Sequence, residues 1–343
     1  MIHLSSSPHF SEGLSTQKIM LAVIIALLPE CINGVLLFGA PALAAILTSV
    51  AGCVIFEALF QKISGQKITI KNLSAVVSGI MLALVISPSV PLWMILTGDL
   101  VAVVIAKGLF GGIGSNVFNP ALTGRAFMFL SFPAAMGSKW IFPSSGIDAV
   151  SHATNLDAVS QATVLSQIKS GSFEVSKDAY LQLFYGNRAG CIGETSVLLI
   201  LISFVFLLVI RVIDWRAPVA MVASVALCTF AVGKDVLLAL LTGGLMFGAV
   251  FMVTDYATAP LTKPGRLIFG AGCGLITFLI RNFGGYPEGV MFSILIMNTL
   301  TPFLNNITTR MYGYGKKGNR RPAAKKIIQD FDVANAREVK NEQ

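Results

Sequence analysis

A chain of 343 residues with 55% hydrophobic and 12% charged side chains, at a mean hydropathy of +0.76, is too apolar and too weakly charged for a water-soluble domain. The formal net charge of +8 does not imply nucleic-acid binding, because its lysines and arginines are spread over short loops and one long polar stretch, and the one basic run is a tail that follows an apolar segment. Composition therefore predicts an all-α integral membrane protein. Lipid cannot satisfy exposed backbone groups, and no alternating pattern suggests a barrel.

The first seventeen residues are mostly polar, with no basic start and no cleavage site after the first apolar run, so no signal-peptide layout is read there. Five apolar segments follow, Ile19 to Phe38, Pro41 to Phe60, Leu73 to Ile86, Leu92 to Leu109 and Val117 to Phe132. A span needs about 20 residues, and several of these fall short. Gly and Pro crowd their ends at Ser87-Pro88, Gly111-Gly112 and Asn119-Pro120, a pattern expected of broken or re-entrant helices that line a polar site. Gly111-Gly112-Ile113-Gly114 has no strand-turn-helix context and reads as a tight turn at the membrane edge, not a dinucleotide loop.

The long polar stretch between residues 134 and 193 carries Asp157-Ala158-Val159-Ser160-Gln161-Ala162-Thr163. It resembles the acceptor motif Asp-x-x-Ser/Thr-Gly-Ala-Thr/Ser, on which a flavin transferase attaches FMN to the final hydroxyl. Asp157, Ser160, Ala162 and Thr163 match, and Gln161 replaces the usual glycine. Thr163 would be the anchor. Lys139, Lys169, Lys177 and Arg188 are candidates to offset the FMN phosphate, while Trp140, Phe142, Phe173, Phe184 and Tyr185 would either stack on the ring or anchor the loop at the interface.

Five more apolar segments follow, Thr195 to Ile213, Ala217 to Val232, Val236 to Val253, Leu267 to Ile280 and Gly289 to Phe303, with Gly284-Gly285 between the last two. Ten segments split five and five by the loop give two halves of opposite orientation by parity, although no sequence repeat between them is evident. The chain thus divides into a first membrane half (1–133), the loop (134–193), a second half (194–309) and a basic tail (310–343). With the N-terminus inside, the short inner loops and flanks hold Lys18, Lys62, Lys67, Lys71, Lys107, Arg211, Arg216, Lys263 and Arg266, against Lys234 and Arg281 outside. That asymmetry puts both termini in the cytoplasm and the loop outside a multi-pass cell (inner) membrane, with the tail drawn to anionic lipid.

Five isolated cysteines without a CxxC pair and three dispersed histidines predict neither a cysteine-ligated cluster nor a metal site. Ionisable groups within or beside spans are costly and are candidates for an ion path: Glu30, Glu57, Asp99 and Arg125 inside, Asp255 and Glu288 at ends. Glu57, Asp255 and Glu288 have a plainer reading as groups reaching interfacial water. Asp99 sits near the middle of its segment, and Arg125 is its nearest counter-charge by helix depth.

Ser7-Pro8-His9, the run from Lys107 to Ala121 (KGLFGGIGSNVFNPA), Thr254-Asp255-Tyr256-Ala257-Thr258-Ala259-Pro260 and Gly285-Tyr286-Pro287-Glu288-Gly289-Val290, in this order, resemble the RnfD family, the D-type membrane component of the Rnf complex. The flavin motif falls where that family carries one. The resemblance implies a subunit, inactive alone, of an ion-translocating ferredoxin:NAD oxidoreductase that moves Na+ or H+. It implies FMN held by a phosphoester to Thr163, other membrane and peripheral subunits as partners, and a flavin transferase for maturation. A second, non-covalent flavin such as riboflavin stays open, as does the coupling ion. The NqrB component of the sodium-pumping NADH:quinone oxidoreductase shares the fold and motif but usually has a longer N-terminal region. A flavin-free secondary transporter or channel is the alternative of a different class.

Overall fold

The computed structural model describes residues 15–137, 140, 164–170, 177–186, 188–285 and 288–313, and every regular element among them is helical. Helix α1 (Thr16–Phe38) starts where the Ser15 side chain accepts the Lys18 amide, and it ends at Gly39. Gly39 has φ 70° and is followed at once by α2 (Ala40–Ile63) with Pro41 in its first turn, so a single left-handed residue reverses the chain. Both helices are long and apolar enough to cross a membrane, as are α13 (Lys263–Phe283) and residues Val290–Thr308 of α14 (Val290–Gly313).

The remaining segments are shorter or interrupted. Helix α3 (Ser74–Leu84) has 11 residues and stops before Ser87-Pro88. Helix α4 (Leu92–Leu100) continues as π-helix over Val101–Gly108, and α5 (Pro120–Ser131) begins at Asn119, whose side chain accepts the Leu122 amide. The short helices α6 (Pro133–Gly137), α7 (Val164–Ser170) and α8 (Lys177–Tyr185) belong to the polar stretch between the halves. Ser196 caps α9 (Val197–Val209), which leads into α10 (Arg216–Ala231). The expected segment Val236 to Val253 is broken: α11 (Val236–Leu241) ends at Thr242, and α12 (Leu245–Phe247) passes into a π-helix over Gly248–Met252. Among the described residues, two segments turn π-helical after a Thr-Gly-x-Leu step, Thr97-Gly98-Asp99-Leu100 and Thr242-Gly243-Gly244-Leu245.

The interior is apolar as in a soluble protein, but much of the surface is apolar too. Leu36, Ile55, Leu227 and Phe230 are 61–76% exposed; in water so much exposed apolar surface would drive aggregation, whereas lipid accepts it. Inside, glycines bring backbones together. A Cβ on Gly270 would lie 2.2 Å from the Ala217 carbonyl oxygen and one on Gly274 2.4 Å from that of Met221, so α10 and α13 meet through a Gly-x-x-x-Gly face. Without a hydrophobic force between helices in lipid, this close packing is what holds such a pair.

Candidate functional site

The break between α11 and α12 leaves backbone groups without helical partners inside the protein, and charged side chains supply them. Arg281 from α13 donates to the carbonyls of Ala239 (2.9 Å) and Thr242 (3.1 Å), and Arg188 donates to those of Leu241 and Glu194. The Gly244 amide donates to Glu288 Oε1 at 3.0 Å. Glu288 also meets Arg125 of α5, Nη2 to Oε2 at 2.8 Å, while Arg125 Nη1 lies 3.7 Å from Glu194 Oε1 and Nη2 3.6 Å from Cys191 Sγ. A carboxylate cage from the second half thus receives one guanidinium from the first. Gly244 has no room for a side chain here, since a Cβ would lie 2.3 Å from Glu194 Oε1.

Arg125, the nearest counter-charge to Asp99 by helix depth, is taken by Glu288 and Glu194 and does not pair with Asp99. Arg188 is buried and bonded to the carbonyls of Leu241 and Glu194.

Asp99 lies elsewhere in the first half, fully buried, with Oδ1 2.6 Å from Ser49 Oγ and 3.3 Å from Cys53 Sγ of α2. Further along α2, Glu57 pairs with Lys107 of the first π-helix at 2.8 Å, both side chains 5% exposed, so Glu57 does not reach interfacial water. Gln61 donates to the other oxygen of Glu57 (3.1 Å), and Lys107 also donates to Ser74 at the start of α3. Lys107 counts in the sequence as one more inner positive charge. Only its burial in the fold identifies it as the partner of Glu57.

Beside this pair a cavity opens between the halves. Met20, Met81, Leu207 and Phe251 form apolar walls, and Lys107, Asn116, Asn119 and Asp255 supply polar groups. Asp255 accepts from Thr258 Oγ1 at 3.1 Å. Asp255 thus lines the cavity, Glu57 sits behind it on Lys107, and Arg125 and Glu288 meet in the cage; Asp99 belongs to neither.

Asp157, Ser160, Ala162 and Thr163 lie outside the described residues, as do Lys139, Phe142 and Phe173. The residue after Thr163 opens α7, whose Val164 and Ile168 pack on Leu183, Val197, Leu238 and Leu241. Lys169 of α7 donates to the Gly284 carbonyl, and Leu165 approaches Gly243. Tyr180 of α8 donates to Asp235, the cap of α11; that hydrogen bond, with those from the Leu238 and Leu237 amides, holds the Asp235 carboxyl below its usual value against some burial. Phe184 and Tyr185 stack edge to face on each other, with centroids 5.7 Å apart.

The chain matches the NQR2, RnfD, RnfE family over residues 3–313. It is 41% identical over 314 residues to the D component of the Na(+)-translocating ferredoxin:NAD(+) oxidoreductase complex of Acetobacterium woodii, covering 91% of this chain and 96% of that one. It is 38% identical over 325 residues to the D component of the proton-translocating ferredoxin:NAD(+) oxidoreductase complex of Clostridium ljungdahlii, covering 93% and 96%. With the D component of the ion-translocating oxidoreductase complex of Stutzerimonas stutzeri the identity is 36% over 353 residues, covering 93% and 98%.

Proposed function

The chain belongs to the NQR2, RnfD, RnfE family, and from that membership we propose that it is the D-type membrane subunit of an ion-translocating ferredoxin:NAD oxidoreductase complex. The observation that carries this reading is the 41% and 38% identity, along nearly the whole of both chains, with two subunits so named. Those names favour ferredoxin:NAD chemistry over the sodium-pumping quinone reductase. They specify different ions, Na+ in one and protons in the other, so the ion of this chain does not follow from them. Catalysis would need the other subunits as partners.

In this reading FMN is esterified to Thr163, and when bound it supplies the electron-transfer chemistry. The chain's own part is to anchor and orient it. Support comes from α7, which begins one residue later and rests against Gly284 and α11 beside the Arg125, Glu194 and Glu288 cage. A second, non-covalent flavin would suit the cavity beside Lys107, where apolar walls match a flat ring and Asn116 and Asn119 offer donors and acceptors for its polar edge. Ten membrane-crossing segments in two inverted halves are part of the same proposal; the two π-helical turns after Thr-Gly-x-Leu steps support it, and inverted repeats typically place ion sites between broken helices. The loop would lie outside and both termini in the cytoplasm.

The test is Thr163→Val, which keeps shape and deletes the ester-forming hydroxyl. Wild-type protein on a denaturing gel should fluoresce under ultraviolet light, and the variant should insert normally and be dark. A fluorescent variant would refute the anchor, and a dark wild type purified from a host that supplies the flavin transferase would favour a flavin-free transporter.

A further inference from the structure

Three fully buried side chains from two helices meet at one point in the first half: Ser49 and Cys53 of α2 and Asp99 near the end of α4. The Ser49 hydroxyl lies 2.6 Å from Asp99 Oδ1 and 2.9 Å from the Gly79 carbonyl oxygen of α3. A serine hydroxyl has one proton to donate, and the carbonyl has none; unless that one proton is shared between two acceptors, the second hydrogen bond takes its proton from Asp99. The other carboxyl oxygen, Oδ2, is buried without a hydrogen-bond partner. No cation among the described residues forms an ion pair with it: Lys107 is held by Glu57, and Arg125 by Glu288 and Glu194. An ionised carboxylate so placed would be an unpaired charge in an apolar interior, which is among the costliest arrangements a protein can hold.

We propose that Asp99 is a proton-binding site: in the resting protein it is a neutral carboxylic acid whose Oδ1 hydroxyl donates to Ser49, which in turn donates to the Gly79 carbonyl. The contacts require backbones at unusually close range. A Cβ on Gly52 would lie 2.7 Å from Asp99 Oδ2, and one on Gly79 would lie 2.8 Å from the Ser49 carbonyl oxygen, so glycine brings α2 within reach of both α3 and α4. Loss of the proton reverses the chain of donors. The Ser49 hydroxyl turns to the new carboxylate, joined by the Cys53 thiol at 3.3 Å, and the Gly79 carbonyl loses its side-chain partner. Protonation is thereby coupled to α3, whose first residue, Ser74, accepts from Lys107 beside the cavity. The titratable and charged groups on the packed elements are Cys53, Glu57 and, in its last turn, Lys62 on α2, Lys107 on the π-helix and Arg125 on α5; α3 has none. This assignment is a property of the chain and stands apart from the flavin at Thr163. If the complex moves ions, it marks one place where a proton can be held within the first half.

Infrared spectroscopy of the purified full chain reads the carbonyl stretch of protonated carboxylic acids and its shift in heavy water. At neutral pH the wild type should show this band, and Asp99→Asn should lose part of it. Glu30→Gln serves to resolve the overlap, because Glu30 is the other fully buried carboxyl without a hydrogen-bond partner among the described residues. An unchanged band in Asp99→Asn would overturn the proposal. Should that variant fail to fold, dicyclohexylcarbodiimide is applied to the wild type: a protonated carboxyl adds across it, oxygen to carbon and proton to nitrogen. A modified Asp99 peptide in the mass spectrum supports the neutral acid, and an unmodified one in a sample where Glu30 has reacted rejects it.

Discussion

Arg125 and Glu288 are 163 residues apart in the chain and meet at 2.8 Å beside the break between α11 and α12. Glu288 is shared with the Gly244 amide, so the ion pair and the helix break depend on each other. Removing the guanidinium leaves two carboxylates, Glu288 and Glu194, facing each other without their shared counter-charge. Breaking one side of a buried pair typically costs about 3–5 kcal/mol. Arg125→Met should therefore lower the melting temperature in detergent by many degrees and reduce the folded yield. Near-wild-type melting would show that the pair contributes little.

Glu57 and Lys107 allow a cleaner separation of charge from packing. Glu57→Gln leaves a buried ammonium facing an amide and should destabilise by several kcal/mol, whereas replacing both partners with neutral groups removes the desolvation cost along with the attraction. Glu57→Gln combined with Lys107→Met is expected to melt above Glu57→Gln alone. A double-mutant cycle showing simple additivity would mean that the two side chains do not interact in the folded protein.

The Gly-x-x-x-Gly face of α13 makes a steric prediction. Gly270→Val places branched carbons where the Ala217 backbone already lies 2.2 Å from a bare Cβ, and neither helix backbone can yield as a flexible side chain would. Helices α10 and α13 must then separate. The expected readout is loss of the folded peak in size-exclusion chromatography, with Gly272→Val milder because its close neighbour is the flexible Met297 side chain. Equal behaviour of the two variants would count against this packing.

What the sequence reveals and what it conceals follow from distance along the chain. Capping and proline chemistry act within one turn: the structure begins α5 at Asn119-Pro120, inside the expected segment Val117 to Phe132, and α13 at Thr262-Lys263-Pro264, ahead of the expected start at Leu267. The apolar runs mark the segments for the same local reason. Partnerships do not show in this way: Lys107 is 50 residues from Glu57, and a lysine at the end of an apolar run looks alike whether it meets water or a carboxylate. Arg281 reads only as a topology residue, and Glu194 draws no reading at all, because nothing in their neighbours signals the break between α11 and α12 that they serve. The break itself is hidden in the sequence, since Val236 to Val253 reads as one apolar run until its tertiary partners are known.

Asp214, between α9 and α10, ties two arginines together: Arg216 Nη1 and Arg266 Nη1 each lie 2.8 Å from its Oδ2. Partial burial alone would raise this carboxyl, but the Arg216 amide and the two guanidinium groups outweigh it and hold the carboxyl below its usual value of about 3.9. A carboxylate whose folded value is depressed contributes stability that is complete above the unfolded value and disappears as pH falls through the folded one. The groups are partly exposed, so the contribution is on the order of 1 kcal/mol or less. Asp214→Asn should accordingly melt below the wild type at pH 7, and the gap should narrow as the pH is taken below about 4. Salt should narrow it too, because partly exposed pairs are screened. Melting curves of both proteins across that range decide the matter: a gap that is independent of pH would show that Asp214 acts through packing and not through its charge.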